Sequence, residues 1–352
     1  MLKRCVTLVA FAALCLHAVA APAADAKAPA SAAELAVYQG PDRMERLIAG
    51  AKREGELNVY HVYPNLPVII NAFTSKYGIK VKTWRSGSEG VLQRLTTEAR
   101  GGRFDADIVQ NNAPENEAAH REKLLQEVRS PAEKDLMREA TPAHHEWTGI
   151  TVDVFVAAYN TDKVRKDDLP RTYQDLLDPK WKGRLGIEVD DQGWYGWLRH
   201  TMGEQATDKL FADIVARNGM SVRKGHSLLA NLVASGEVPL GLTVYSWIPE
   251  QLKQKGAPIE VLAIPPVIAQ FSTIAMPKKA PHPYAALLFY EFMLGEGQQL
   301  LANMKYVPTS TRIDSPIMKL PLTFIDPAAA IDQQDAWTRV YQEVVTKGPA
   351  AK

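Results

Sequence analysis

Charged and hydroxyl side chains near residue 85 have the chemistry to hold an anion. Arg85, Ser86 and Ser88 come after the alternating run 79–84, and Glu89 follows them. A helix that begins here presents unpaired backbone N–H groups and partial positive charge, which favour a bound anion. Ser86 and Glu89 are three residues apart and also match a capping box, so plain helix capping is the alternative.

Carboxylates beside aromatic rings form a second candidate site further along the chain. Glu188, Asp190 and Asp191 end a short apolar run, and Trp194 and Tyr195 follow shortly after. Acidic groups next to aromatic faces suit a cation, and the rings can also stack on a flat ligand. A solvated acidic turn followed by core aromatics is the alternative interpretation.

Polar side chains stand at the ends of other apolar runs. His61 and Tyr63 end one run and Asn111 ends another, where the loops of α/β proteins carry ligand groups. His226 and Ser227 precede a helical pattern and are expected to face the loop at Ser86 across a cleft. A lone histidine such as His61 is more often structural, and Ser227 also suits a plain helix cap.

Two aromatic residues complete the set of candidate ligand-binding residues. Tyr245 and Trp247 follow an apolar run, and together with Trp194 and Tyr195 they suit an aromatic or amine ligand. The sequence His144-His145-Glu146 has the composition of a metal cluster. Because adjacent side chains point apart, a solvated loop is the favoured interpretation there.

Strand and helix patterns alternate along the first part of the chain. Helical spacing covers 44–54, 68–77, 86–100 and 115–125, and strand patterns cover 57–63, 79–84 and 106–110. This alternation predicts right-handed βαβ units in a mostly parallel sheet. Ligands of such sheets lie beyond the carboxyl ends of the strands, where the candidate residues stand.

The second half of the chain predicts another α/β lobe. An apolar strand is expected at 150–160, and the chain returns through a second crossing strand near 267–276. We expect lobe 1 to comprise 34–150 and about 267–308, and lobe 2 to comprise 151–266 and about 309–352. Two rigid lobes joined by crossing strands form a hinged cleft that closes on a ligand.

Composition and the first residues narrow the class of protein. Lysine and arginine number 41 and aspartate and glutamate 40, so no basic surface for nucleic acid is indicated. Residues 1–20 match a cleaved secretory signal peptide, with a positive start, an apolar stretch and Ala18-Val19-Ala20. Both cysteines lie inside it, so the mature chain is expected to be periplasmic, without disulfides, and flexible over 21–33.

Several segments resemble the periplasmic solute-binding proteins of ABC importers, of the extracellular solute-binding family 1 type, in the branch that contains the ferric-iron binders. Their order along the chain carries the resemblance more than any one motif. The segments are Leu57–Tyr60, Ser86–Glu89, Asp105–Val109, Tyr159–Asp162, Leu177–Gly183, Ala234–Glu237, Lys255–Pro258 and Tyr306–Pro308. The resemblance implies a two-lobed α/β type II periplasmic binding protein fold with a hinged interlobe cleft.

The resemblance also implies partners and a ligand class. A monomer is expected to deliver a small ligand to an ABC permease in the inner membrane, with no cofactor. Ferric-iron members carry adjacent tyrosines near Tyr245, whereas this chain has Ser246 beside it. Ferric iron, held by Tyr245 and His61, is therefore the alternative, and an organic or phosphorus-containing anion is favoured.

Among the possible functions, an enzymatic one has the least support from the sequence. The chain contains no Gly-x-Ser-x-Gly, His-Glu-x-x-His, phosphate-loop or dinucleotide motif. A secreted hydrolase or a receptor-coupled sensor built on the same lobes is the alternative of another class.

Overall fold

The computed structural model describes residues 31–347. The expected signal peptide and most of the segment 21–33 lie outside the described residues. The end of that segment is already ordered, because Ser31 caps the first helix by accepting a hydrogen bond from the Glu34 N–H at 3.2 Å. No helix within 31–347 has the length and apolar character needed to cross a membrane.

The strands follow the crossing pattern expected from the sequence. They are β1 (Glu56–His61), β2 (Lys80–Arg85), β3 (Ile108–Asn112), β4 (Trp147–Asn160), β5 (Leu185–Glu188), β6 (Ser221–Arg223), β7 (Leu240–Tyr245), β8 (Ile259–Leu262), β9 (Val267–Ala275) and β10 (Leu322–Phe324).

Helices surround the strands on both sides. They are α1 (Ala32–Val37), α2 (Arg43–Glu54), α3 (Leu66–Tyr77), α4 (Ser88–Arg100), α5 (Ala113–Arg121), α6 (Gln192–Met202), α7 (Glu204–Asn218), α8 (His226–Ser235), α9 (Trp247–Gln254), α10 (Pro283–Leu294), α11 (Glu296–Asn303), α12 (Pro327–Asp332) and α13 (Gln334–Tyr341). Short 3₁₀ segments are Pro131–Asp135, Arg138–Ala140, Lys166–Asp168, Tyr173–Leu177, Pro179–Trp181 and Pro316–Lys319, and a π-helical turn spans Gln342–Thr346.

The strands within residues 31–347 join one ten-stranded mixed sheet. Its main order is β2-β1-β3-β9-β4-β7-β5-β6, with β10 beside β9 and β8 beside β4. The strands β1, β2 and β3 are parallel to one another, as are β5, β6 and β7. The expected parallel units are therefore present in each lobe, but β4 pairs antiparallel with β7, β8 and β9, and β9 pairs antiparallel with β3 and parallel with β10.

The long strands β4 and β9 connect the two lobes. The first half of β4 pairs with β9, and its second half pairs with β7 and β8 in lobe 2. Every residue of both strands is buried. Runs of β-branched and other apolar side chains such as those in β4 favour an extended strand covered on both faces.

Two apolar cores lie on either side of the crossing strands. One includes Leu57, Phe73 and Phe289 of lobe 1 and continues through Val244 to helices α8 and α9. The other, centred on Trp194 and Phe211, packs α6, α7 and α13 against the opposite face of the lobe 2 sheet. The first core thus extends from lobe 1 into lobe 2 along one face of the crossing strands, and the second packs the other face of the lobe 2 sheet.

The last described part of the chain touches both lobes. Thr309 donates to the Gly149 carbonyl at 2.8 Å, and α12 packs on α5 of lobe 1. Helix α13 packs instead on α6 of lobe 2. The lobe boundaries expected at residues 150, 266 and 308 stay predictions, since this segment contacts both halves.

Some element boundaries differ from those expected. Helix α4 begins at Ser88 with Gly87 at its N-cap and no side-chain cap, so the capping box of Ser86 and Glu89 is not formed. Strand β3 starts at Ile108, because the Asp107 carboxylate accepts the Asn58 N–H before the ladder begins.

Candidate functional site

A cleft of about 1380 Å³ opens between the two lobes. Loops that follow parallel strands line it from both sides, as the geometry of α/β sheets predicts. Lobe 1 contributes the loops after β1, β2 and β3, and lobe 2 contributes those after β5, β6 and β7. The crossing strands supply its floor through Asp153, Phe155 and Gln270.

Hydrogen bonds hold the lobe 1 loops in place. The Gln110 side chain accepts the backbone N–H groups of Val62 and Tyr63 at 3.0 and 3.2 Å, which shapes the loop after β1. The Asn111 side chain donates to the Ser88 carbonyl at 3.1 Å and ties the end of β3 to the start of α4. Arg85 is exposed and donates to the Val62 carbonyl at 3.2 Å.

Glu188, Asp191 and His226 form the core of the lobe 2 wall. The Glu188 carboxylate accepts the Gly225 N–H at 2.8 Å and also the Asp190 N–H, which joins the loops after β5 and β6. His226 Nδ1 lies 3.2 Å from the Thr243 carbonyl oxygen. Its Nε2 lies 3.4 Å from Asp191 Oδ1.

Aromatic side chains surround the cleft floor. The Trp247 indole N–H donates to Asp153 Oδ1 at 3.3 Å, and Gln270 donates to the Tyr245 hydroxyl at 3.0 Å. The ring of Tyr245 lies 4.1 Å from that of His226 and 5.1 Å from that of Phe155, between centroids. The floor thus combines a buried carboxyl with three aromatic faces.

Negative charge predominates in the lining. Seven carboxyl side chains line the cleft against four from arginine and lysine. The carboxyls are Glu89, Glu115, Glu122, Asp153, Glu188, Asp190 and Asp191, and the cations are Arg85, Arg100, Arg121 and Lys224. Two buried oxygens, Glu115 Oε2 and Asp191 Oδ2, have no hydrogen-bond partner among the described residues.

Burial changes the acidity of several of these groups. It raises the pKa of Glu115 and of Asp153 to about 7, and it also raises the pKa of Asp191. Burial and the charge of Asp153 raise the pKa of Tyr245 well above 10, so its phenol is neutral without a compensating cation. Charged carboxylates in such surroundings need a nearby positive charge.

Most of the residues expected to bind a ligand do line the cleft. The structure brings together Tyr63, Arg85, Ser86, Ser88, Glu89, Glu188, Asp190, Trp194, His226, Ser227, Tyr245 and Trp247. Their function in ligand binding stays a prediction, since their shared position alone does not test it.

Three expected residues lie outside the lining. His61 is buried and its Nδ1 donates to the Tyr63 carbonyl at 2.9 Å. The Asn111 side chain donates to the Ser88 carbonyl and so positions Ser88. The Tyr195 hydroxyl points away, into lobe 2, and donates to Asp208 at 2.9 Å, because neighbouring residues of a helix face different directions.

Sequence reasoning missed several residues of the lining, among them Asp153, Gln270 and Glu115. Asp153 and Gln270 are polar positions inside the otherwise apolar crossing strands, and that interruption was the available signal. Glu115 follows β3 at the start of α5, where it is half-buried against the Ser88 loop. Only the packing of lobe 1 shows that its carboxyl is turned inward.

The His144 region forms a cluster on lobe 1, but its atoms satisfy one another. His144 Nε2 donates to Glu117 Oε2 at 3.1 Å, and its Nδ1 accepts the Glu146 N–H at 3.0 Å. The ring stacks on His120 with centroids 3.8 Å apart, and His120 pairs with Glu146 at 2.8 Å. The cluster is thus explained as packing of a loop against α5.

Two named proteins are similar in sequence to parts of the chain. A protein of Serratia marcescens described as an Fe(3+)-binding periplasmic protein is 26% identical over 183 residues, which is 51% of this chain and 53% of that protein. The chain thus matches about half the length of that relative. Iron uptake protein A1 of a Synechocystis strain is 24% identical over 290 residues, covering 76% of this chain and 79% of that protein.

Solved structures confirm the expected two-lobed α/β fold. Iron-bound HitA from Pseudomonas aeruginosa has a TM-score of 0.71 at 23% identity, covering 81% of this chain and 98% of that one. AfuA from Actinobacillus pleuropneumoniae, with exogenous fructose-6-phosphate bound, has a TM-score of 0.72 at 22% identity, covering 83% and 99%. At these identities the likeness shows the fold alone.

A protein-family model matches most of the chain. The model described as bacterial extracellular solute-binding protein matches residues 69–319, which include the crossing strands and most of the cleft lining. That family consists of binding proteins rather than enzymes, in agreement with the missing catalytic motifs. The chain belongs to the bacterial extracellular solute-binding protein family.

Proposed function

We propose that this chain is the periplasmic binding component of an ABC importer and that its ligand is a small cation. The unpartnered, buried oxygens of Glu115 and Asp191 in the cleft are the observation that carries this proposal. A buried carboxylate without a partner is costly, and a bound positive charge removes that cost. The family and the strand-end cleft support transport by lobe closure.

The cleft is less suited to the anion expected from the sequence. Arg85 and the start of α4 favour a negative group, but Glu89 and the half-buried Glu115 lie beside them in the lining. An anion would meet an excess of carboxyls on both walls, and like charges this close repel. The charge balance therefore favours a cation over an anion.

Ferric iron is a second candidate ligand. The printed names of the Serratia and Synechocystis relatives concern iron, and Tyr245 offers one phenol at the cleft. Hard oxygen donors suit ferric iron, but its binding here would have to ionise a phenol whose pKa lies well above 10. Carboxylates and His226 would then supply most of the ligands.

Binding measurements on chain purified from bacterial periplasm test the cation proposal. We expect metal ions or amines to raise the melting temperature, with inorganic phosphate as the anionic comparison. Asp153→Asn should weaken cation binding at least about tenfold, because it removes a buried charge from the floor. Asp167→Asn, at an exposed carboxyl outside the lining, should leave binding unchanged. Stabilisation by phosphate alone would contradict the proposal.

A further inference from the structure

Three ligating side chains of the lobe 2 wall converge on one point of the cleft. Glu188, Asp191 and His226 each offer an oxygen or nitrogen atom, and these atoms lie within 4.8 Å of one another. Glu188 is the last residue of β5, Asp191 follows β5 and His226 follows β6, so all three lie at the carboxyl ends of neighbouring parallel strands.

The hydrogen bond of His226 determines which ring nitrogen faces the cluster as an acceptor. Its Nδ1 lies 3.2 Å from the carbonyl oxygen of Thr243, and a carbonyl oxygen only accepts, so Nδ1 carries the hydrogen. In the neutral form of the ring, Nε2 has a lone pair that can bind a ligand. Metal-binding histidines are commonly oriented by this type of bond to a backbone carbonyl.

Asp191 places a second electron-rich atom against that lone pair. Its side chain is 4% exposed, and Oδ2 has no hydrogen-bond partner among the described residues. Its other oxygen, Oδ1, lies 3.4 Å from His226 Nε2. Two facing acceptors repel each other unless a positive charge lies between them or near them.

Glu188 is held rigidly beside this pair. Backbone N–H groups of Gly225 and Asp190 donate to its two oxygens, which prevents the side chain from turning away. Each carboxylate oxygen retains a further lone pair for a ligand. Ligands fixed in advance by surrounding hydrogen bonds are the arrangement that metal sites require.

The separation of His226 Nε2 and Asp191 Oδ1 suits a metal ion better than an ammonium group. Metal–ligand distances of about 2.0–2.1 Å in a tetrahedral shell place neighbouring donors about 3.3 Å apart. An ammonium nitrogen with hydrogen bonds of about 2.8 Å would hold its acceptors about 4.6 Å apart. The separation of Nε2 and Oδ1, 3.4 Å, agrees with the metal shell.

We propose that Glu188, Asp191 and His226 bind a divalent transition-metal ion, which makes this ion the cation of the proposed function and rests on that function. An imidazole with two carboxylates suits such ions. The site lies on the lobe 2 wall and uses no tyrosine. The remaining coordination positions face the cleft, where water or a lobe 1 group completes the shell on closure.

The surface cluster on lobe 1 provides a matched control. Glu117, His120 and His144 also offer ligating atoms within 4.8 Å of one another. There, however, both nitrogens of His144 already hold hydrogen-bond partners, and the two imidazole rings stack face to face. A metal would have to break these contacts, so His120→Gln should leave metal binding of the chain unchanged.

Calorimetry and native mass spectrometry with Zn²⁺ test the proposal on the full exported chain freed of metal by a chelator. We expect one Zn²⁺ per chain. Asp191→Asn and His226→Gln should each weaken binding at least about tenfold, and His120→Gln should not. Co²⁺ provides a second readout, since loss of the imidazole in His226→Gln should change its visible spectrum.

The other outcomes separate this site from the proposed function. Zn²⁺ binding that His226→Gln and Asp191→Asn leave intact would overturn the site. Binding of 1,4-diaminobutane in the absence of metal binding would overturn the metal inference and leave a cation-binding function standing. Binding of inorganic phosphate alone would overturn both. Circular dichroism of each variant shows whether its fold is retained, and Asp191→Asn is the variant with the smallest change in shape.

Discussion

The acidic side chains of the cleft are placed differently from the charged side chains in the core of lobe 1. Asp153 is buried and Glu115 is half-buried, burial raises the pKa of each to about 7, and both line the space between the lobes. Arg43 and Glu291 show the opposite arrangement in the lobe 1 core, where a buried ion pair of 2.7 Å satisfies both charges. The contrast supports the proposed function, in which the cleft acids bind a ligand.

The buried His61 allows a test at the scale of one side chain. Burial lowers the pKa of His61 to about 4, whereas an unfolded histidine titrates near about 6.5. The unfolded state therefore binds more protons between these values, and stability is lost as pH falls from about 6.5 through 4. The contribution is at most about 3 kcal/mol.

Changing His61 to Asn should flatten this dependence. Asparagine keeps a donor for the Tyr63 carbonyl but does not titrate. We expect urea unfolding of metal-free protein to show a smaller loss of stability between pH 6.5 and 4 than the parent shows. His200→Asn, at an exposed histidine, is the control. An unchanged slope in His61→Asn would contradict the assignment.

Among the elements, the packing of α13 on α6 depends on one glycine. A side chain at Gly196 would meet the Trp337 ring, since a Cβ placed there lies 2.0 Å from ring atom Cδ2. The absence of a side chain lets the indole lie directly on α6 and close one end of the cleft, where Trp337 is part of the lining. The close approach of the two helices requires glycine at this position.

Gly196→Ala and Gly193→Ala form a matched pair on the same helix. The first change forces the helices apart and should lower the free energy of unfolding by about 1–3 kcal/mol. The second meets only Ile325 at 3.9 Å and should leave stability equal or slightly higher, because alanine favours a helix. Chemical denaturation measures both. Equal effects of the two substitutions would exclude the packing explanation.

For the molecule as a whole, we expect the two crossing strands to determine which parts move together. Both β4 and β9 are buried throughout, and apolar cores lie on either side of them. The loops that line the cleft project from the strand ends of opposite lobes. Closure should therefore bring loops together while the crossing strands change little, as in hinge motion between rigid bodies.

Ligand binding should produce this pattern in hydrogen exchange. At a ligand concentration of 100 times Kd the folded state gains about 2.7 kcal/mol, and closure should decrease the radius of gyration. We expect slower exchange in the loops at Ser86–Glu89 and Gly225–Leu228 together. Exchange in β4 and β9 should be nearly unchanged relative to the rest of each lobe. Protection confined to one lobe would contradict closure.

Much of the fold was predictable because it depends on local patterns. The alternation of strands and helices, the crossing strands and the order of family-like segments all appear along the chain, and the fold and family are confirmed. The mixed direction of the sheet was not predictable from these patterns. Strand direction depends on which strands become neighbours, and β4 meets β9 and β7 only in the folded chain.

The sequence by itself determined which loops reach the cleft, because loops after parallel strands share one edge of a sheet. The charge environment of the cleft could be determined only from the tertiary structure. Asp153 and Glu115 are ordinary acids in the sequence, and Arg85 suggested an anion there. Burial of these acids depends on contacts that are distant in the chain. It raises the pKa of both carboxyls, which is the basis for proposing a positively charged ligand.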